Sequence, residues 1–147
     1  MQGVYIILSA VLALAVATQF QDCGSIGIDV VLDVADCPTP PCVLQRGHSY
    51  LINFKFTSSV DTDTLTIGAS ANLGGLEVPW PGIDTDACKG LEGTDSPCPI
   101  KAGDFVDWKF EAVVLPEYPK IQTMITFKLI DSNKGYQTCA KLPAVIA

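Results

Sequence analysis

Six cysteines, Cys23, Cys37, Cys42, Cys88, Cys98 and Cys139, all follow an uncharged apolar leader, and this arrangement restricts the chain more than any other feature it has. An even number of cysteines behind a secretory leader reads as a disulfide framework, because thiols oxidise in the compartments such a leader opens. The leader runs from Met1 to Ala17, is apolar from Val4 through Val16, and ends in Ala15-Val16-Ala17, the small-x-small pattern at which signal peptides are cut. Cleavage is expected after Ala17. As a membrane anchor the run would fall short of the roughly 20 apolar residues that span a bilayer, and no positive residue flanks its C-terminal side. Residues 18–147 then form one domain, long enough for a real core and too short for two.

No residue of the leader is charged, so the remaining chain keeps the formal net charge of −7. That sign repels nucleic acid and anionic membrane surfaces, and no nucleic-acid partner is expected. The chain after the leader offers no second apolar stretch long enough to cross a membrane. Asn53, Asn72 and Asn133 all lack the Asn-x-Ser/Thr context, so N-glycosylation has no acceptor.

The hydrophobic period beyond the leader is two. Tyr50, Ile52, Phe54 and Phe56 fall on one face of a strand, with Leu51, Asn53, Lys55 and Thr57 on the other. The same alternation sets Leu65, Ile67, Ala69, Ala71 and Leu73 against Thr64, Thr66, Gly68, Ser70 and Asn72. It sets Val106, Trp108, Phe110, Ala112 and Val114 against Asp107, Lys109, Glu111 and Val113. Finally it sets Ile121, Thr123, Ile125, Phe127 and Leu129 against Gln122, Met124, Thr126 and Lys128. Weaker strands are expected at 20–23, 26–32 and 136–146, the last with an edge or a bulge at Pro143. Turn residues separate the runs, among them Asp36 to Pro41, Asn72 to Gly75 and Asp131 to Gly135. No segment has the pattern of an amphipathic helix. Strands with one apolar face each bury it against a second sheet, so the fold class is all-β: an immunoglobulin-like, two-sheet antiparallel β-sandwich, without the Cys-to-Trp-to-Cys spacing of a true immunoglobulin domain.

Little here supports catalysis. His48 is the only histidine, follows Arg46-Gly47 at the mouth of a strand, and reads as a solvated turn residue; no nucleophile elbow or cysteine signature accompanies it. The 16 acidic residues are scattered as a solvated surface is. Asp61-x-Asp63 and Asp84-x-Asp86 superficially resemble calcium loops but lack the glycine and distal glutamate of an EF-hand. Cys37-x4-Cys42 with His48 lacks a fourth zinc ligand. No metal, cofactor or enzymatic activity is expected. More telling are two proline-framed aromatic stretches, Val78-Pro79-Trp80-Pro81 and Val114-Leu115-Pro116-Glu117-Tyr118-Pro119. Flanking prolines hold an aromatic ring in place at low entropic cost, which suits a core plug or the rim of an apolar pocket equally. Ala69, Ala71, Ala112 and Thr123, small residues on inner faces, remove volume from between the sheets; the alternative is that the sheets simply lie closer together.

Taken in order, Phe20-Gln21-Asp22-Cys23-Gly24-Ser25, Cys37-Pro38-Thr39-Pro40-Pro41-Cys42, Gly47-His48-Ser49-Tyr50, Phe56-Thr57-Ser58, Cys98-Pro99-Ile100 and Glu117-Tyr118-Pro119 resemble the lipid-binding ML-domain family across essentially the whole chain after the leader. The resemblance implies a sandwich whose two sheets part around an internal apolar cavity for one lipid. It implies pairing of Cys23 with Cys139, Cys37 with Cys42, and Cys88 with Cys98. It places ligand contacts on Trp80, Val114 and Tyr118, with Ile67 and Phe127 lining the cavity. Where sterol-carrying members have an aromatic directly after the last cysteine, this chain has Ala140, which implies a wider or differently shaped far wall.

The same resemblance implies a secreted, monomeric carrier, with the endosomal or lysosomal lumen as a second address. It would bind a cholesterol-like sterol or a fatty acid and deliver it to a membrane sterol transporter or a receptor. The alternative is an extracellular binding module of innate-immunity or chemosensory type that uses the lipid as its ligand.

Overall fold

A computed structural model describes residues 3, 4, 6 and 17–147. The leader assigned to Met1–Ala17 therefore lies almost wholly outside the described residues. The described residues form nine strands: β1 (Gln21–Asp22), β2 (Ile28–Val34), β3 (Cys42–Leu44), β4 (Ser49–Thr57), β5 (Leu65–Leu73), β6 (Leu76–Pro79), β7 (Phe105–Val113), β8 (Gln122–Asp131) and β9 (Tyr136–Ile146), with a 3-10 turn at Ala87–Leu91. They make a six-stranded sheet, ordered β1-β9-β8-β5-β6 with β3 also on β9, and a three-stranded sheet, ordered β2-β4-β7. The sandwich expected from the alternation is present. Every pairing is antiparallel except β3 on β9, which is parallel.

The register explains how the core is filled, since residues directly opposite across a ladder share a face. On the larger sheet Ile67 lies beside Leu129 and Ala69 beside Phe127, and β9 adds Thr138 and Ala140 to those rows. The smaller sheet answers with the rows Leu32–Phe54–Trp108 and Val34–Ile52–Phe110. Leu32, Phe54, Phe56, Val106, Trp108 and Leu129 are at most 2% exposed.

Periodicity does not reveal two of the strands, β3 and β6, and both are too short to show a period. The Val78-Pro79-Trp80-Pro81 stretch, expected as a loop, begins as the edge strand β6, where the missing N–H of Pro79 can face outward. Gly74 and Gly75, both at positive φ, make the two-residue turn between β5 and β6, and Asn72 Oδ1 accepts from Gly75 N at 2.9 Å. Pro143 corrects another expectation. It lies on neither an edge nor a bulge but in β9, a central strand, opposite Met124. Cys139 and Ala147, both odd-numbered, turn their backbone groups toward β1 and β3 respectively, bonding Cys23 and Leu44. Pro143 has the same parity, so its missing N–H falls between Lys141, the partner of β1, and Ala144, the first partner of β3. No ladder bond is lost there. The register shift in this pair is instead at Leu129/Ile130.

Disulfides join Cys23 to Cys139, Cys37 to Cys42 and Cys88 to Cys98. The first ties the edge strand β1 to β9 across the chain, while the others close local loops. No helix of the described residues is long and apolar enough to cross a membrane.

Candidate functional site

Trp80 sits at the division of the molecule's apolar spaces. Its backbone is fixed by a bond from its N–H to the carbonyl of Ala69 on β5 (2.8 Å), and its indole Nε1 donates to the carbonyl of Val113 on β7 (3.2 Å). The ring thus reaches from the larger sheet to the edge of the smaller one. Proline on either side limits the backbone conformations from which it could depart.

On the inner side of Trp80 lies a crevice of about 10 Å³ between the sheets, bounded by Ile52, Ala112, Val114, Ile125 and Phe127 among others. That is room for roughly one water molecule. Rings fill what the small residues leave open: Trp80 meets Phe127 at 6.3 Å between centroids, Phe127 meets Phe110 at 6.5 Å, and Phe110 stacks on Trp108 at 5.3 Å. Phe127 itself has alanine on both sides, Ala69 and Ala140. The missing aromatic at Ala140 is therefore a missing neighbour of Phe127.

On the outer side opens a pocket of about 290 Å³, walled by Val78, Trp80, Tyr118, Ile121, Ile125 and Ile146 with several smaller residues. Tyr118 stands edge-on to Trp80, centroids 6.1 Å apart. Its loop is held at three points: Val114 N–H donates to the carbonyl of His48, Tyr118 N–H to that of Leu115, and the Arg46 guanidinium to the carbonyls of Pro116 (3.2 Å) and Tyr118 (3.4 Å). Burial, followed by the neighbouring Glu117 charge, raises the Tyr118 phenol above its ordinary pKa, so it remains protonated at neutral pH.

A larger groove, about 450 Å³, lies along β7 on the third side of Trp80. Asp84, Asp86, Lys89, Lys109 and Glu111 stand on its rim, and the Lys89–Asp84 pair there (2.6 Å) is well exposed. Charged walls would have to be desolvated by an apolar occupant, so the smaller pocket suits a lipid better.

Of the residues proposed from the sequence, Trp80, Val114 and Phe127 meet at the crevice, and Trp80 and Tyr118 meet at the outer pocket. Ile67 is only 3% exposed, packed beside Leu129, and lines neither space. Ile121 and Ile125 line the outer pocket without having been expected there, although both continue the alternating face of Phe127. Cys42 and Leu44 could not be found without β3, and the crevice lining includes both. Among the described residues, no three His, Cys, Asp or Glu side chains gather as a metal-binding group.

Known proteins resemble this chain in both sequence and fold. The family model described as the ML domain matches residues 17–146. NPC intracellular cholesterol transporter 2 of Mus musculus is 36% identical over 141 residues, covering 92% of each chain. Mite group 2 allergen Gly d 2.02 of Glycyphagus domesticus is 34% identical over 123 residues, 84% of this chain and 93% of the allergen. Among solved structures, a Niemann-Pick type C2 protein from Japanese carpenter ant superposes with a TM-score of 0.73 at 26% identity, covering 88% of this chain and 99% of that one.

Proposed function

The chain belongs to the ML-domain family, and on that premise we propose that it is a non-enzymatic carrier of a single sterol or long-chain lipid, secreted into an oxidising compartment. One observation carries this reading: the apolar outer pocket and the inter-sheet crevice share a wall made of two side chains, the buried Ile125 of β8 and the half-buried Trp80, and of the two only Trp80 is partly exposed and lies outside a strand. Ligand sites generally occupy about 300–1,000 Å³, and a pocket of about 290 Å³ is at the lower limit. Turning the indole away from Val113 joins the pocket to the crevice and lets the sheets part over the row Ala69–Phe127–Ala140. A lipid tail then takes the place of Trp80 against Phe127.

The driving force is hydrophobic. A ligand that hides about 400 Å² of apolar surface gains on the order of 10 kcal/mol before ordering costs, enough for micromolar or tighter binding. The three disulfides fit an extracellular or lysosomal lumen, where such bonds persist.

Organic extraction of the purified protein and mass spectrometry of the extract should recover a sterol or long-chain lipid, and adding that lipid back to the delipidated protein should shift tryptophan emission. In Trp80→Phe most of the shift should disappear while binding persists, because Trp108 is 2% exposed with its Nε1 held on the carbonyl of Ala87. An extract without lipid, and no binding on titration, would favour a protein-recognition module. A full-sized shift in Trp80→Phe would place the ligand away from this wall.

A further inference from the structure

Of the side chains that wall the outer pocket, three carry a hydrogen-bonding atom, and two of these are engaged within the protein. Trp80 Nε1 donates to the carbonyl of Val113, and Thr123 Oγ1 donates to the carbonyl of Asn72 at 2.6 Å. The third, the phenolic oxygen of Tyr118, is shielded from solvent and has no hydrogen-bond partner among the described residues. An orphaned buried hydroxyl is a standing cost in the empty protein, and folded proteins retain few of them. Phenylalanine would fill the same space without that cost. The hydroxyl therefore points to a partner that arrives with the ligand.

We propose that the Tyr118 hydroxyl is the polar recognition point of this pocket and that it selects a neutral amphiphile carrying a hydroxyl group, a sterol or a long-chain alcohol, over a hydrocarbon or a carboxylate. This rests on the carrier reading and narrows it to a ligand chemistry. The phenol can donate one bond and accept another, which is the capacity an alcohol presents in return. A carboxylate is a poorer match, because Glu117 is the preceding residue in the chain and its charge already acts on the phenol. The Arg46 guanidinium on this loop is turned to the backbone carbonyls of Pro116 and Tyr118. Remaining pocket walls are aliphatic, proline or indole surface, which take up a tail without distinguishing one tail from another. Because the oxygen is shielded in the empty protein, the bond forms only once the walls around the ring give way, so selection and opening happen together.

The test is a paired titration of delipidated protein and Tyr118→Phe with cholesterol, 5α-cholestane, hexadecan-1-ol, hexadecane and hexadecanoate, with thermal melts of both empty proteins. In the parent protein at least one alcohol should bind more tightly than its hydrocarbon. Tyr118→Phe should reduce that preference by about 3- to 10-fold, the range of one neutral hydrogen bond, while hydrocarbon affinity holds or rises. The empty variant should melt about 2 °C higher, as expected from removing an orphaned hydroxyl. Whichever alcohol responds identifies the source of the hydroxyl, ring or chain. If the parent binds these lipids and Tyr118→Phe leaves the alcohol preference unchanged, the proposal falls and the carrier reading stands. If the variant loses hexadecanoate as strongly as hexadecanol, selection of a neutral head is overturned. If the parent binds none of the five, the carrier reading fails and takes the proposal with it.

Discussion

At one end of β5, Leu65 and Ile67 are 1% and 3% exposed; at the other, Leu73 on the same face is 36% exposed. The alternation in sequence is the same throughout. What differs is the opposing surface. Leu65 and Ile67 belong to one buried cluster with Leu32, Phe54 and Trp108 of the smaller sheet, whereas Leu73 and its β6 partner Leu76, 70% exposed, stand outside that cluster. Between these ends, alanines flank Phe127 and the half-buried Trp80 fills the gap. One end of the sandwich is thus closed by fully buried side chains, and the other by the half-buried Trp80 beside the buried Ile125. A protein that must keep its fold while parting its sheets needs this inequality, because local opening draws on regions with few buried contacts.

The sharpest test of the comparison places the same charge at each end. Phe54→Asp should abolish cooperative folding, since emptying such a site costs about 3–5 kcal/mol even with alanine and an unpaired buried carboxylate adds to it. Val114→Asp, beside the crevice, should melt at a lower temperature than the parent yet still fold, because water can follow the charge in from the outer pocket. It should no longer bind lipid. Circular-dichroism melts with lipid titration decide the matter: equal unfolding would show that Val114 is packed as tightly as Phe54, and normal binding would put the ligand elsewhere.

Disulfides provide the next largest effect. Removing Cys23–Cys139 by paired alanine substitution should cost about 5 kcal/mol by loop-closure entropy, with 116 residues separating its ends, against about 3 kcal/mol for Cys88–Cys98, whose separation is 10. Urea unfolding of the two variants measures both. Equal losses would mean that the long bridge does not hold the packed end together.

The smallest effect concerns Asp22, at the start of that same staple. Slight burial works against its ionisation, but N–H bonds from Ser25 and Gly24 (2.9 and 2.8 Å) outweigh it and hold the carboxyl below its ordinary value of 3.8. A depressed carboxyl stabilises the fold above the unfolded-state pKa, and that contribution fades as pH falls through the folded-state pKa. Asp22→Ala should therefore melt below the parent at pH 6, by an amount worth under about 0.5 kcal/mol for so exposed a group, and the gap should narrow below pH 3.8. A gap independent of pH would assign the turn to backbone geometry alone.

Strands with four or five apolar residues on one face are visible in the sequence because burial against a second sheet imposes a period of two over many residues. The segments β3 and β6 are invisible for the opposite reason: three or four residues carry no period, and their place is set by β9 and β5, which the chain reaches elsewhere. Pro143 reads as a fault in a strand, because nothing local reveals that its neighbouring strand changes from β1 to β3 at that position. The aromatic stretches around Trp80 and Tyr118 are conspicuous through their prolines. Their sequence leaves open whether those rings plug a core or rim a pocket, and Trp80 does both, bounding the crevice and the outer pocket together.

By itself, then, the sequence determined the all-β class, the faces of the long strands and the even set of cysteines, because each depends on residue type and short-range spacing. Only the tertiary structure decided that Phe127 lies between Ala69 and Ala140, that Ile67 is away from the pocket, and that the Tyr118 hydroxyl finds no partner among the described residues. Those facts depend on register between strands far apart in the chain and on where one sheet stops covering the other, and no local pattern encodes either.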